Sequence, residues 1–152
     1  PTTKLFNRRY LMLKLPDLIQ AENKANGGVA IFLAISGAEV LNQQLGRQKA
    51  DSLFLEIANS FNEICKEFED KVIARVNGTE FTLVLPGCES DDANNLAKDI
   101  NRSFTRLLTK NELDHTKVFV NMGMYRFKTT TKVGELLNSA DNALSIAKSK
   151  EE

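Results

Sequence analysis

The chain has no surplus of either charge: 20 Lys and Arg balance 20 Asp and Glu over 152 residues. That balance excludes the strongly basic surface expected of a general nucleic-acid binder and the acidic run of a solvating tail. Arg8-Arg9 is a local basic cluster only. Two cysteines, Cys65 and Cys88, without C-x-x-C spacing, argue against a zinc site or a disulfide framework and favour a reducing compartment. The one histidine, His115, follows Asp114 and reads as a surface loop residue rather than a catalyst. No apolar run approaches the roughly eighteen residues of a membrane span, and the start does not have the pattern of a signal peptide. Internal repeats and low-complexity tracts are missing as well. What is present is a chain that is 42% apolar, enough for one α/β domain with a full core. It opens at Pro1 and closes on Lys148-Ser149-Lys150-Glu151-Glu152 inside a helical pattern, so a domain belonging to a longer protein is expected.

Hydrophobic periodicity sets out the elements. Asn7 to about Ala25 predicts a helix with Tyr10, Leu11, Leu13, Leu15, Leu18 and Ile19 on its apolar side, kinked or broken at Pro16. Asn26-Gly27-Gly28 predicts a turn. Val29 to Ile35 (V-A-I-F-L-A-I) is a continuous apolar run of strand length, the mark of a strand buried on both faces. A short helix over Ser36 to Leu45 stops near Gly46, and an amphipathic helix follows over Lys49 to Phe68, with Phe54, Ile57, Phe61 and Phe68 at helical spacing. Ser90, followed by Asp91 and Asp92, reads as the N-cap of a helix carrying Leu96, Ile100, Phe104 and Leu108. Val118 to Tyr125 predicts a strand and Val133 to Lys150 a last helix.

The most informative segment is Val72 to Leu85 (V-I-A-R-V-N-G-T-E-F-T-L-V-L). Two β-rich runs flank Asn77-Gly78, which predicts a hairpin with a type I′ turn, because that turn needs positive φ at both central residues. Thr79 and Glu80 then lie at the tip, where a sheet offers polar groups to a ligand. The element order α-β-α-β-β-α-β-α contains β-α-β-β-α-β. The fold class expected is therefore α/β (α+β), a ferredoxin-like core with an antiparallel central sheet and flanking helices.

Four motifs in order carry a family resemblance. Pro1 to Tyr10 (P-T-T-K-L-F-N-R-R-Y) is similar to the opening D-P-L-T-G-L-x-N-R-R of GGDEF domains, the diguanylate cyclase fold of bacterial cyclic di-GMP signalling. Leu41-Asn42-Gln43-Gln44-Leu45-Gly46-Arg47 with Asp51 resembles I-N-D-x-x-G-H-x-x-G-D. Ala74 to Phe81 (A-R-V-N-G-T-E-F) resembles A-R-x-G-G-D/E-E-F. Leu136 to Lys148 (L-L-N-S-A-D-N-A-L-S-I-A-K) resembles L-x-x-A-D-x-A-L-Y-x-A-K.

The departures from the pattern carry the functional expectation. The resemblance implies two metal-anchoring acids, one ending the first strand and one third in the hairpin motif. Those positions hold Ala34 and Thr79. Magnesium requires oxygen ligands and ordinarily carboxylate anchors, so no metal or other cofactor is expected to bind tightly. The degenerate motif Asn77, Gly78, Thr79, Glu80, Phe81 keeps a single acid in Glu80. Glu39 stands where the family places a phosphate-binding lysine. The family's product-inhibition site, R-x-x-D, falls on Phe68 to Lys71, and Phe68 and Lys71 supply neither the arginine nor the acid. The resemblance leaves Asn42 and Asp51 as guanine contacts and Lys148 as a phosphate contact. The plainer readings are a helix-ending Asn42, a first-turn Asp51, a solvated Lys148, a salt-bridged Arg75 on its strand and a solvated Glu80.

These features imply a catalytically inactive regulatory or interaction module with no catalytic residue of its own. Leu45 to Asp51 and R-x-N-G before the acidic-Phe tip resemble LapD-type receptors. That likeness implies a cytoplasmic domain of an inner-membrane protein, with an upstream helical or HAMP segment and a downstream EAL domain as partners. A homodimer, weak GTP or GDP binding and no nucleic-acid partner complete the expectation. Two alternatives stay open: a GTP sensor that activates an attached phosphodiesterase, and a weak diguanylate cyclase built on Glu80, Asn42 and Asp51.

Overall fold

The computed structural model describes residues 6–20, 27–113 and 116–149; of residues 141 and 143–149 only the backbone is described. Among the described residues, five strands and five helices follow the order β1 (Phe6–Asn7), α1 (Arg8–Ile19), β2 (Gly28–Ser36), α2 (Ala38–Leu45), α3 (Arg47–Ile64), β3 (Val72–Arg75), β4 (Glu80–Pro86), α4 (Ser90–Lys110), β5 (Phe119–Phe127), α5 (Val133–Ser149). One sheet runs β1-β3-β4-β2-β5. Strands β2 to β5 pair antiparallel throughout, in the order of a ferredoxin-like core. The edge strand β1, which the pattern reading does not contain, joins β3 in parallel, Phe6 opposite Ala74 and Asn7 opposite Arg75.

The continuous apolar run of β2 has a direct cause. The strand lies inside the sheet, and helices cover both faces. Val29, Ile31, Leu33 and Ile35 join a core with Leu53, Ile57 and Phe61 of α3 and Leu96, Ile100 and Phe104 of α4. Ala30 and Phe32 turn to the other face and join Leu11, Leu15 and Ile19 of α1 and Leu136 of α5. Neither face is free for polar side chains, so the period-two alternation of a one-sided strand disappears. Phe61 and Phe81 meet edge to face at 5.3 Å, tying α3 to β4.

Several expectations are corrected. The first helix is neither broken nor ended at Pro16: it continues to Ile19, and the Gln20 N–H donates to the Pro16 carbonyl at 3.1 Å. Burial of Leu11, Leu15, Leu18 and Ile19 along one stripe outweighs the single backbone donor that proline removes. Residues 21–25 of the predicted helix, and Asn26 of the predicted turn, lie outside the described residues. Glu89, not Ser90, is the N-cap of α4, with Asp91 and Asp92 in the first turn as expected. Helix α3 begins at Arg47 and ends at Ile64, which leaves Phe68 in the following turn, where it still packs on the core. Strand β5 runs two residues past Tyr125, to Phe127. His115 and Lys150 lie outside the described residues.

Candidate functional site

The hairpin tip is built differently from a type I′ turn. Neither Asn77 nor Gly78 has positive φ. Instead the Asn77 side-chain oxygen accepts from the Thr79 and Glu80 N–H groups, both at 3.0 Å. That side chain does the work a backbone carbonyl does in an ordinary turn. Val76 donates to the Glu80 carbonyl at 2.9 Å and closes the hairpin around residues 77–79. Arg75 forms no ion pair among the described residues. Its Nη2 donates to the Gly78 carbonyl at 2.6 Å, and its guanidinium lies 5.1 Å from the Phe54 ring centre and 5.9 Å from that of Phe81. It braces the tip onto α3.

The tip meets the far end of β2. Ala34 faces Glu80 in the β2–β4 register, and the Ile35 N–H donates to the Thr79 carbonyl at 2.8 Å. The two positions that the resemblance assigns to metal, Ala34 and Thr79, are thus brought to one place. Ala34 is only 2% exposed. Next to it the Asn121 amide donates to Ser36 Oγ at 3.1 Å. The chain then turns at Gly37, φ +89°, where an added Cβ would lie 2.0 Å from the Lys117 carbonyl oxygen. Only glycine fits that approach. Glu39 is exposed in the first turn of α2.

Asn42 and Asp51 are exposed on α2 and α3, on either side of Gly46, which ends one helix and begins the next at φ +81°. Asp51 belongs to the second turn of α3 rather than the first. Neither side chain hydrogen-bonds to a described residue. The backbone of Lys148 is in α5, and its side chain lies outside the description. Phe68 and Lys71 form a closed turn, with Lys71 Nζ donating to the Phe68 carbonyl at 3.2 Å. A crevice of about 410 Å³ runs beside that turn, lined by Lys14 and Lys71 and by the three acids Asp17, Glu69 and Asp70. A second, of about 230 Å³, opens at the hairpin tip between α1 and α5. Arg8, Asn77 and Glu80 stand over an apolar floor of Phe32, Leu136 and Leu137.

Across residues 1–152 the chain matches the family described as "Diguanylate cyclase, GGDEF domain". The chain belongs to the GGDEF family. The probable diguanylate cyclase DgcT of Escherichia coli (strain K12) is 27% identical over 97% of this chain and 33% of its own length. The diguanylate cyclase SiaD of Pseudomonas aeruginosa, solved in complex with its activator SiaC, superposes with a TM-score of 0.80 at 24% identity, covering 99% of this chain and 57% of that one. Vibrio cholerae LapD, solved as an S helix-GGDEF-EAL chain bound to c-di-GMP, gives 0.74 at 24% identity, covering 98% and 34%. These superpositions show the fold. The GGDEF chain spans under half the length of the curated relatives it matches. It is thus a GGDEF domain with the mixed α+β architecture of that family.

Three features of this GGDEF domain escape pattern reading. The Asn77 side-chain turn and the Arg75 brace depend on side-chain geometry, although the Asn-x-x spacing before Glu80 is a signal for the first. The crevice between α1 and α5 depends on the sheet order, which carries no local signal.

Proposed function

We propose that this GGDEF domain is catalytically silent and acts as a regulatory module in cyclic di-GMP signalling. One observation supports this above the rest. The fold brings Ala34 and Thr79, the two positions that the resemblance assigns to metal-anchoring acids, together beside Glu80. The residues present do not fit a divalent cation. Alanine supplies no ligand, the Thr79 carbonyl is already bonded to Ile35, and among the described residues Glu80 is the acid that the paired strands place there. Glu39 adds negative charge at the turn where a triphosphate would lie. The weak-cyclase alternative must find its metal anchors elsewhere.

The parent, on this reading, is an inner-membrane receptor that carries the domain on its cytoplasmic side, between an upstream helical segment and a downstream EAL domain. LapD, solved as an S helix-GGDEF-EAL chain, supports the domain order of this reading. The test of silence is incubation of the domain with GTP and Mg²⁺ or Mn²⁺, followed by chromatography. No cyclic di-GMP above a protein-free control is expected. Product that disappears in a Glu80→Ala protein would overturn the reading.

A GTP-sensing role rests on Asn42 and Asp51, which are exposed and make no side-chain hydrogen bond to a described residue, so that an amide and a carboxylate are open to a guanine edge. Calorimetry is expected to give GTP and GDP similar dissociation constants in the high micromolar to millimolar range, about −4 to −6 kcal/mol. Binding should be insensitive to Mg²⁺ and lost in Asp51→Ala. Micromolar GTP affinity with a steep Mg²⁺ dependence would instead revive the enzyme.

A further inference from the structure

The two ends of the sheet are finished differently. At one end β1 contributes only two residues. At the other, β5 runs for nine, and no described strand pairs with its outer edge. Long edge strands are ordinarily blunted by charge, by proline or by brevity. Strand β5 carries one charge, Arg126, and no proline. Phe119 to Arg126 are half-buried or exposed, whereas the adjacent β2 is buried almost throughout. Met124 stands 43% exposed.

The strand is also close to a palindrome. It reads F-V-N-M-G-M-Y-R-F, with Gly123 at its centre, methionine on each side and phenylalanine at both ends. Such a segment is complementary to itself when antiparallel. A two-fold axis through Gly123, perpendicular to the sheet, sets Met122 against Met124 of the second copy and Phe119 against Phe127. Arg126 meets Val120, so no like charges oppose one another. The same axis keeps each helical layer on its own side of the sheet, and the contact is isologous and closed.

We infer that β5 pairs edge to edge with β5 of a second copy of this chain, antiparallel and in register about Gly123, joining the two sheets into one. The inference does not depend on the regulatory reading, because it uses the strand edge rather than the hairpin tip.

Sedimentation velocity at tens of micromolar protein is expected to show a dimer. Met124→Lys sets two ammonium groups on the diagonal across the axis, and self-association should weaken by roughly tenfold or more. Met124 is exposed enough for the variant to fold, which an unchanged far-UV spectrum and melting temperature check. Met124→Leu should stay dimeric. Register is read from a spin label on Arg126→Cys, since the two native cysteines are buried. Residue 126 of one copy then lies six residues along the pair from 126 of the other, so the label separation should centre near 20 Å, at about 3.4 Å per residue. A monomer under these conditions, a dimer indifferent to Met124→Lys, or a separation far from that value would each overturn the inference.

Discussion

Cys65 is fully buried where α3 gives way to the turn before β3, and burial pushes its thiol up to about 12 against the opposing pull of Lys71. Cys88 is pushed up to about 11, first by burial and then by Asp92 and Glu89. A thiol raised in the folded state keeps a proton that the unfolded chain releases. Stability is therefore intact below the unfolded value near 8.5 and falls as pH rises toward the folded values. Each thiol adds a slope of up to about 1.4 kcal/mol per pH unit in that window. Urea denaturation between about pH 9 and pH 11 should show this fall, and Cys65→Ala should reduce the slope while leaving the Cys88 share. An unchanged slope would mean that Cys65 already ionises in the folded state. The tip supplies a second prediction at this scale. Asn77 accepts two backbone N–H groups at an exposed site, so Asn77→Ala should cost about 1 kcal/mol. Amide exchange at Thr79 and Glu80 should quicken more than at Leu83, which sits inside the sheet. Equal changes at all three would indicate that the turn does not depend on Asn77.

Helix α1 shows what an element's sequence reveals and what it hides. The apolar stripe of Leu11, Leu15, Leu18 and Ile19 is legible because helical spacing and burial have the same geometric origin. The fate of the chain at Pro16 is not, because tertiary burial decides it. Pro16 removes the N–H that would have bonded the Met12 carbonyl one turn earlier, and both residues are exposed. Pro16→Ala should raise stability by about 1–3 kcal/mol, seen as a higher urea midpoint with unchanged m-value. A loss would show that the proline fixes a bend on which the packing of α1 depends. The same distinction runs through the sheet. Buried β2 announces itself as an unbroken apolar run, whereas β1 is two residues long and too short to carry any period. The hairpin was legible as run, turn and run, but the conformation of its tip was not, because Asn77 closes it with a side chain. The site was legible only in pieces. Nothing local to Ala34 announces that Glu80 lies across from it, since that register is a long-range pairing of β2 with β4.

For the whole molecule, the decisive question is what the closed end of the sheet can hold. Ala34 is 2% exposed and lies opposite Glu80, so an acid placed there is crowded against a second acid in a largely buried position. In Ala34→Asp, Thr79→Asp the new carboxylates lie with Glu80 at the meeting of β2 and the tip. Without a counter-ion, mutual repulsion and burial of the acid at position 34 should destabilise the fold by several kcal/mol, and that buried carboxyl should resist ionisation. A divalent cation that binds only the folded site would recover part of that loss. The expected outcome is a melting temperature below that of the parent, which rises with millimolar Mn²⁺ or Mg²⁺ in the double variant and stays unmoved in the parent. Product from GTP should remain at background, because Glu39 keeps an exposed negative charge in the first turn of α2. Adding Glu39→Lys to the pair is then the step at which nucleotide affinity should become metal-dependent. Metal-independent melting of the double variant would mean that the two positions, though neighbours in the sheet, do not converge on one ion. In that case the proposal of a silent domain could not rest on Ala34 and Thr79.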